Sequence, residues 1–180
     1  RKVLFILAEL DDADLQWLSD AGSVRVVPAG EILIPEGQPN HSVYIVLDGE
    51  LGVLAPGGGA EINRMGQGEL VGEISLLDSR PPAVTVTAAG DAKVFTITHD
   101  VLRTKMQRDP SFAAHLYRAI SIFLANRLNR AQLTTSTGVA PKLAPDVRDS
   151  DELSPELMDN LSLAGQRFLT FLDKLQGRES

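Results

Sequence analysis

The sequence predicts a mainly-β domain of α+β class, a barrel or jelly roll with helices at both ends. Two observations predict it. Between residues 24 and 98, segments of four to six residues rich in Val, Ile, Leu and Thr alternate with turns built from Gly, Pro and Asp. That grammar belongs to antiparallel sheets that close on themselves, not to a parallel α/β sheet. Before and after this block, apolar residues return at helical spacing. With 43% hydrophobic residues in 180, the chain can build one domain of ordinary size plus an appendage.

The N-terminal stretch carries Leu4, Leu7 and Leu10, then Leu15 and Leu18, interrupted by Asp11, Asp12 and Asp14. The break predicts two short helices within 1–20, the second capped by Asp11 or Asp12. Strands are expected at 24–27, 31–34, 43–47, 50–54, 60–65, 84–88 and 92–97. Asp48-Gly49 suits a tight hairpin turn, which needs positive φ. Gly57-Gly58-Gly59 suits an exposed hairpin tip; no helix follows it, so it is not a dinucleotide-binding fingerprint.

Thr98 or Asp100 opens a helix running to about residue 107, and Asp109-Pro110 reads as a cap followed by a first-turn proline. The helix at 109–130 places Phe112, Leu116, Ile120, Phe123 and Leu124 on one side, with Ala113, Tyr117 and Leu128 beside them. That arc is wider than one barrel face requires. The helix either packs on barrel and N-terminal helices together or forms the seam of a homodimer. Residues 131–153 read as a linker. Ser154-Pro155-Glu156 then opens an amphipathic helix at 154–177 carrying Leu157, Leu161, Ala164, Phe168, Leu172 and Leu175. Such a helix is not stable alone, so it docks on its own domain or on a protein partner. The expected organisation is a domain at 1–130 (helices 1–20, β-roll 24–98, helices 98–130), the linker, and the terminal helix.

Composition narrows the function. A net charge of −7 argues against a nucleic-acid partner, since phosphate neutralisation dominates such affinity. Beyond residue 130 there are five Lys or Arg against eight Asp or Glu, and room for a single helix. A winged helix-turn-helix needs more helices and the opposite sign. Without cysteine there is no disulfide, thiol chemistry or Cys-based metal site. The apolar run at 3–8 is too short to span a membrane, so neither leader, anchor nor membrane partner is expected and the cytoplasm is the plain location. The chain opens on Arg1, which leaves room for an upstream segment. Hydrolase, Walker and zinc-protease motifs are missing. His41, His99 and His115 share no obvious site, and Asp11, Asp12 and Asp14 lack the glycine and distal glutamate of a calcium loop. A non-enzymatic protein without a cofactor is expected.

The most informative stretch is Leu70-Val71-Gly72-Glu73-Ile74-Ser75-Leu76-Leu77-Asp78-Ser79-Arg80-Pro81-Pro82-Ala83-Val84-Thr85-Val86. It sets a glycine and a carboxylate at the start of a short apolar helix, then a proline loop, then a β-branched strand. Free N–H groups at a helix start can converge on an anion. Glu73 can accept hydrogen bonds from sugar hydroxyls, or can simply be an acid favoured by the helix dipole.

This arrangement resembles the phosphate-binding cassette of the cyclic-nucleotide-binding domains, which usually reads Phe-Gly-Glu-Ile/Leu-Ala/Ser-Leu, a gap, then Pro-Arg-x-Ala-Thr-Val. The resemblance extends over roughly residues 15–128, including Pro28-Ala29-Gly30-Glu31-Ile32-Leu33-Ile34 and Tyr44-Ile45-Val46-Leu47-Asp48-Gly49. It implies a double-stranded β-helix or jelly roll flanked by helices, a regulatory role, and cAMP or cGMP as ligand. It also implies a site formed by Val71, Gly72, Glu73, Ile74, Ser75, Arg80, Pro81, Pro82, Ala83, Val84 and Thr85, with Glu73 on the ribose hydroxyl. Pro82 and Ala83 stand where the family carries its phosphate-binding arginine and a hydroxyl residue. Loss of a bidentate pair, at about 1.5–3 kcal/mol per charge-assisted hydrogen bond, lowers the expected affinity by two or more orders of magnitude. Arg80, two residues upstream, is either a substitute or a solvent-facing loop charge. The 158–168 segment is similar to the tail of a subgroup of bacterial proteins, implying a bacterial stand-alone module. Two functions are therefore expected in competition: a weakly binding sensor, or a ligand-independent module for dimerisation and protein interaction.

Overall fold

The computed structural model describes residues 5–136 and 155–176; most of the expected linker lies outside them. Two short helices open the fold, Phe5–Ala8 (α1) and Asp12–Ala21 (α2). Asp11 caps α2 in a reciprocal box: its carboxylate accepts from the Asp14 N–H at 2.8 Å, and the Asp14 carboxylate accepts from the Asp11 N–H at 3.1 Å.

Eight strands follow: Ser23–Val27 (β1), Ile32–Ile34 (β2), Ser42–Asp48 (β3), Leu51–Leu54 (β4), Glu61–Met65 (β5), Leu70–Val71 (β6), Thr85–Ala88 (β7) and Ala92–Thr98 (β8). They form two antiparallel sheets, ordered β1-β8-β3-β6 and β2-β7-β4-β5, over one shared core. This is the jelly roll that the alternation of short strands and turns implied. The seven expected strands are present with ends shifted by a residue or so. β6 went unread, because two residues are too short to show a period. Asp48-Gly49 makes the β3–β4 turn; Gly49 has φ of +76°, and a Cβ there would lie 2.5 Å from the Asp91 carbonyl oxygen. The outer strand β5 is exposed and charged, with Arg64 bridging Glu61 at 2.8 Å and Glu50 at 3.1 Å, a face that resists edge-to-edge pairing.

Between Leu70–Val71 and Thr85–Ala88 lies the helix Glu73–Leu77 (α3). After β8 come His99–Arg108 (α4), Pro110–Ser136 (α5) and Pro155–Gln176 (α6). Thr98 caps α4 through Val101 N–H, and the Asp109 carboxylate accepts from Phe112 N–H at 3.1 Å ahead of Pro110. α5 continues to Ser136, so the boundary expected at 130 falls inside a helix; polar Thr134 and Thr135 lower propensity without stopping it.

The arc of α5 divides. Phe112, Leu116, Ala119, Ile120 and Phe123 are buried within the chain, whereas Tyr117 and Leu128 are 51% and 59% exposed. α6 docks on its own chain: Phe171 is fully buried edge-on against Phe95 at 5.0 Å, flanked by buried Phe168 and Leu175. Arg167 fixes the seating by donating to the carbonyl oxygen of Ala8, the last residue of α1, at 2.6 Å, and to that of Leu10. No helix among the described residues is long and apolar enough to cross a membrane.

Candidate ligand-binding site

The local sequence determines the shape of the cassette. β6 pairs with β3 and ends on Gly72, whose φ is +90°. A Cβ at this position would stand 2.3 Å from the Ser42 carbonyl oxygen, so both the dihedral and the close approach require glycine. The reversal starts α3, which closes where Asp78 N–H donates to the Ile74 carbonyl oxygen at 2.8 Å. The following loop is tied to the turn after β2: Gly37 N–H donates to the Pro82 carbonyl oxygen at 2.8 Å, and Glu36 N–H to Thr85 Oγ1 at 3.2 Å.

Helix α4 holds both ends of α3. Nε2 of buried His99 lies 3.2 Å from the Gly72 carbonyl oxygen, and Arg103 donates to the Ser75 and Leu76 carbonyl oxygens at 3.4 and 3.3 Å. Burial pushes the His99 pKa below its ordinary value, and the neighbouring Arg103 and His41 push the same way.

Between α3, its loop and the strands lies a cavity of about 390 Å³, a volume suited to a small ligand. Ile34, Val53, Met65 and Val86 from the β2-β7-β4-β5 sheet form its apolar wall. Of the eleven residues singled out from sequence, ten line this cavity. Thr85 does not; its hydroxyl is engaged by the Glu36 N–H. Arg80 is on the lining but its side chain is 83% exposed and paired with Asp78 of the same loop. A short local ion pair explains that placement better than a site turned inward.

Glu73 differs from the expectation of an open acceptor. Its side chain is 1% exposed and its Oε1 accepts from Nη1 of Arg127, on α5, at 2.8 Å. Burial raises the Glu73 pKa, and the Arg127 charge opposes the rise without cancelling it. Arg127 also lines the cavity, with its guanidinium 5.5 Å from the Phe123 ring. The sequence held a signal for it. Phe112, Leu116, Ile120 and Phe123 are a buried stripe, and the next step along that face is a cation rather than an apolar residue.

A second cluster has metal-ligand chemistry. Donor atoms of Asp11, Asp14 and His115 lie within 4.8 Å of one another, with His115 Nδ1 2.6 Å from Asp14 Oδ2. Both carboxylates already serve the α2 capping box, which accounts for their placement.

The cyclic nucleotide-binding domain family matches residues 24–109, the whole roll with the cassette and α4. These residues are a domain of this family. Cyclic nucleotide-binding domains are also its structural neighbours. One from Methylobacillus flagellatus has a TM-score of 0.69 over 79% of this chain and 85% of that one, at 18% identity, a likeness of fold. The N-terminal domain of a transcriptional regulator from Streptomyces coelicolor is 30% identical, with a TM-score of 0.58 over 75% of this chain and 96% of that one. A cAMP-dependent protein kinase regulatory subunit from Yarrowia lipolytica is 35% identical over 95 residues, which are 53% of this chain and 25% of that protein. The chain spans about a quarter of the length of the curated relatives it matches. The Yarrowia relative is named as a regulatory subunit. The family match ends before α5, so Arg127 falls outside it.

Proposed function

We propose that this cyclic nucleotide-binding domain is a non-enzymatic sensor that takes cAMP, cGMP or a related phosphate ligand in the α3 cavity, with low affinity. The observation that carries this reading is the buried carboxylate of Glu73 on a cavity of about 390 Å³ whose wall is otherwise mostly apolar. Such a cavity accommodates a base and sugar, and a carboxylate accepts sugar hydroxyls. The Yarrowia relative is named for cAMP dependence, which favours the same ligand class. Affinity is low because Pro82 and Ala83 offer neither charge nor hydroxyl to a phosphate. Binding is coupled to α5 through Arg127, since a ligand that engages Glu73 disturbs its pair with α5. Outward-facing Tyr117 and Leu128, three turns apart on α5, suit a homodimer seam.

One observation favours a second reading. The Glu73–Arg127 pair satisfies the site carboxylate from within the chain, as a ligand-independent interaction module would require. Titration calorimetry with cAMP and cGMP on wild type and Pro82→Arg separates the two. A working pocket gains at least tenfold in affinity from the restored guanidinium, about 1.4 kcal/mol and less than one good charge-assisted hydrogen bond. A folded Pro82→Arg, Ala83→Ser variant that ignores both nucleotides favours the interaction module instead.

A further inference from the structure

Four charged side chains line the cavity among the described residues: Glu73, Asp78, Arg80 and Arg127. They form two internal pairs, and the pairs differ in kind. Arg80 and Asp78 are neighbours in one loop, and Arg80 is 83% exposed. Water screens that pair, so Arg80 meets an incoming anion with little advantage over bulk solvent. Arg127 comes from another helix and is 31% exposed, while the carboxylate it neutralises is 1% exposed. Its planar fork carries five N–H donors, of which the Nη1 contact to Glu73 uses one.

We propose that Arg127 is the anion-binding residue of this cavity, and that only a ligand carrying both an anionic group and a hydroxyl donor can open its pair with Glu73. This assignment rests on the cavity being the ligand site, as proposed above. A ligand anion alone draws the guanidinium away and strands a carboxylate in an apolar wall, which is strongly unfavourable. A neutral sugar alone offers hydroxyls to Glu73 but leaves Arg127 without its counter-charge. A hydroxyl-bearing organic phosphate meets both needs in one molecule: the phosphate takes the fork and the hydroxyl takes the carboxylate. The exchange moves an α5 side chain, so recognition and the response of α5 become one event. The cation then comes from a helix outside the cassette, where no cassette motif would reveal it.

Titration calorimetry on the full chain tests the assignment with cAMP as probe, and with adenosine, 2′-deoxy-cAMP and inorganic phosphate as controls. Wild type is expected to bind cAMP at least tenfold more tightly than each control. Arg127→Gln is expected to weaken cAMP at least tenfold, and Arg80→Gln less than twofold. Should Arg127→Gln fail to fold by circular dichroism, the Glu73→Gln, Arg127→Gln pair replaces it with Glu73→Gln as reference, and the same tenfold step is expected. cAMP binding that survives loss of Arg127, or that Arg80→Gln weakens tenfold, overturns this assignment while leaving the cavity a nucleotide site. Adenosine binding as tightly as cAMP overturns the requirement for an anion. No binding of cAMP to wild type or to Pro82→Arg overturns the ligand reading and this assignment together.

Discussion

Replacing Arg127 with Met isolates what the buried pair contributes to stability, because the thioether chain retains apolar packing on Phe123 while the charge goes. Glu73 is then a carboxylate with 1% exposure and no counter-charge. Breaking a fully buried pair costs about 3–5 kcal/mol. Glu73 has an escape, which is to take up a proton. Relative to an unfolded carboxyl titrating near 4.5, staying protonated at pH 7 costs about 3.4 kcal/mol, so that figure caps the charge penalty. Residual solvation through the cavity reduces it further, and we expect a loss of about 2–3 kcal/mol at pH 7. For a chain of this size that is a fall in Tm of about 4–12 °C. The pH dependence gives the stronger test. Burial already raises the folded pKa of Glu73, and removing Arg127 raises it further, since that charge was holding it down. A carboxyl with a raised folded pKa binds more protons folded than unfolded. Its contribution is therefore full below the unfolded pKa and is lost as pH rises through the folded one. The gap in Tm between wild type and Arg127→Met should widen as pH rises above the folded pKa of wild-type Glu73, which itself lies above 4.5, and level off only beyond the still higher folded pKa of the variant, measured by calorimetric melts at stepped pH. In a Glu73→Gln background the Arg127→Met penalty should no longer depend on pH. Parallel curves for wild type and Arg127→Met would refute the reasoning.

Other consequences are simpler. Gly72→Ala forces a left-handed dihedral on a residue whose Cβ would lie 2.3 Å from the Ser42 carbonyl oxygen, so it should lower stability by about 2–4 kcal/mol in chemical denaturation, mostly through the clash. His99 has a depressed pKa, so its contribution is present above the ordinary value near 6.5 and is lost as pH falls toward the folded value; the stability of wild type relative to His99→Gln should decline over that window in melts at stepped pH. Leu128 is 59% exposed, and if α5 is a homodimer seam Leu128→Asp should shift the mass in light scattering from dimer to monomer at tens of micromolar with Tm of the dilute protein little changed.

What the sequence disclosed followed from how local each cause was. Turn residues at 48–49 and 57–59, β-branched runs and the caps at Asp11, Thr98 and Asp109 act within a few residues of themselves, and the roll with its flanking helices was legible from them. β6 was not, since two residues carry no period and gain their strand geometry only by pairing with Tyr44 and Ile45. The cassette was legible as a motif, and ten of its eleven candidates meet at one cavity because a short helix and its return loop enclose a small volume. Its electrostatics were not legible, because Glu73 is neutralised by a residue 54 positions later on another helix. Only the fold decides which arginine stands beside which carboxylate. Even so, the periodicity of α5 marked the position. Counting from Phe112 through Leu116, Ile120 and Phe123, the stripe predicts an inward-facing residue at the next turn, and an arginine there needs a buried acid for company. Asking which acid could meet it leads to Glu73, the carboxylate that the motif had already placed at the site.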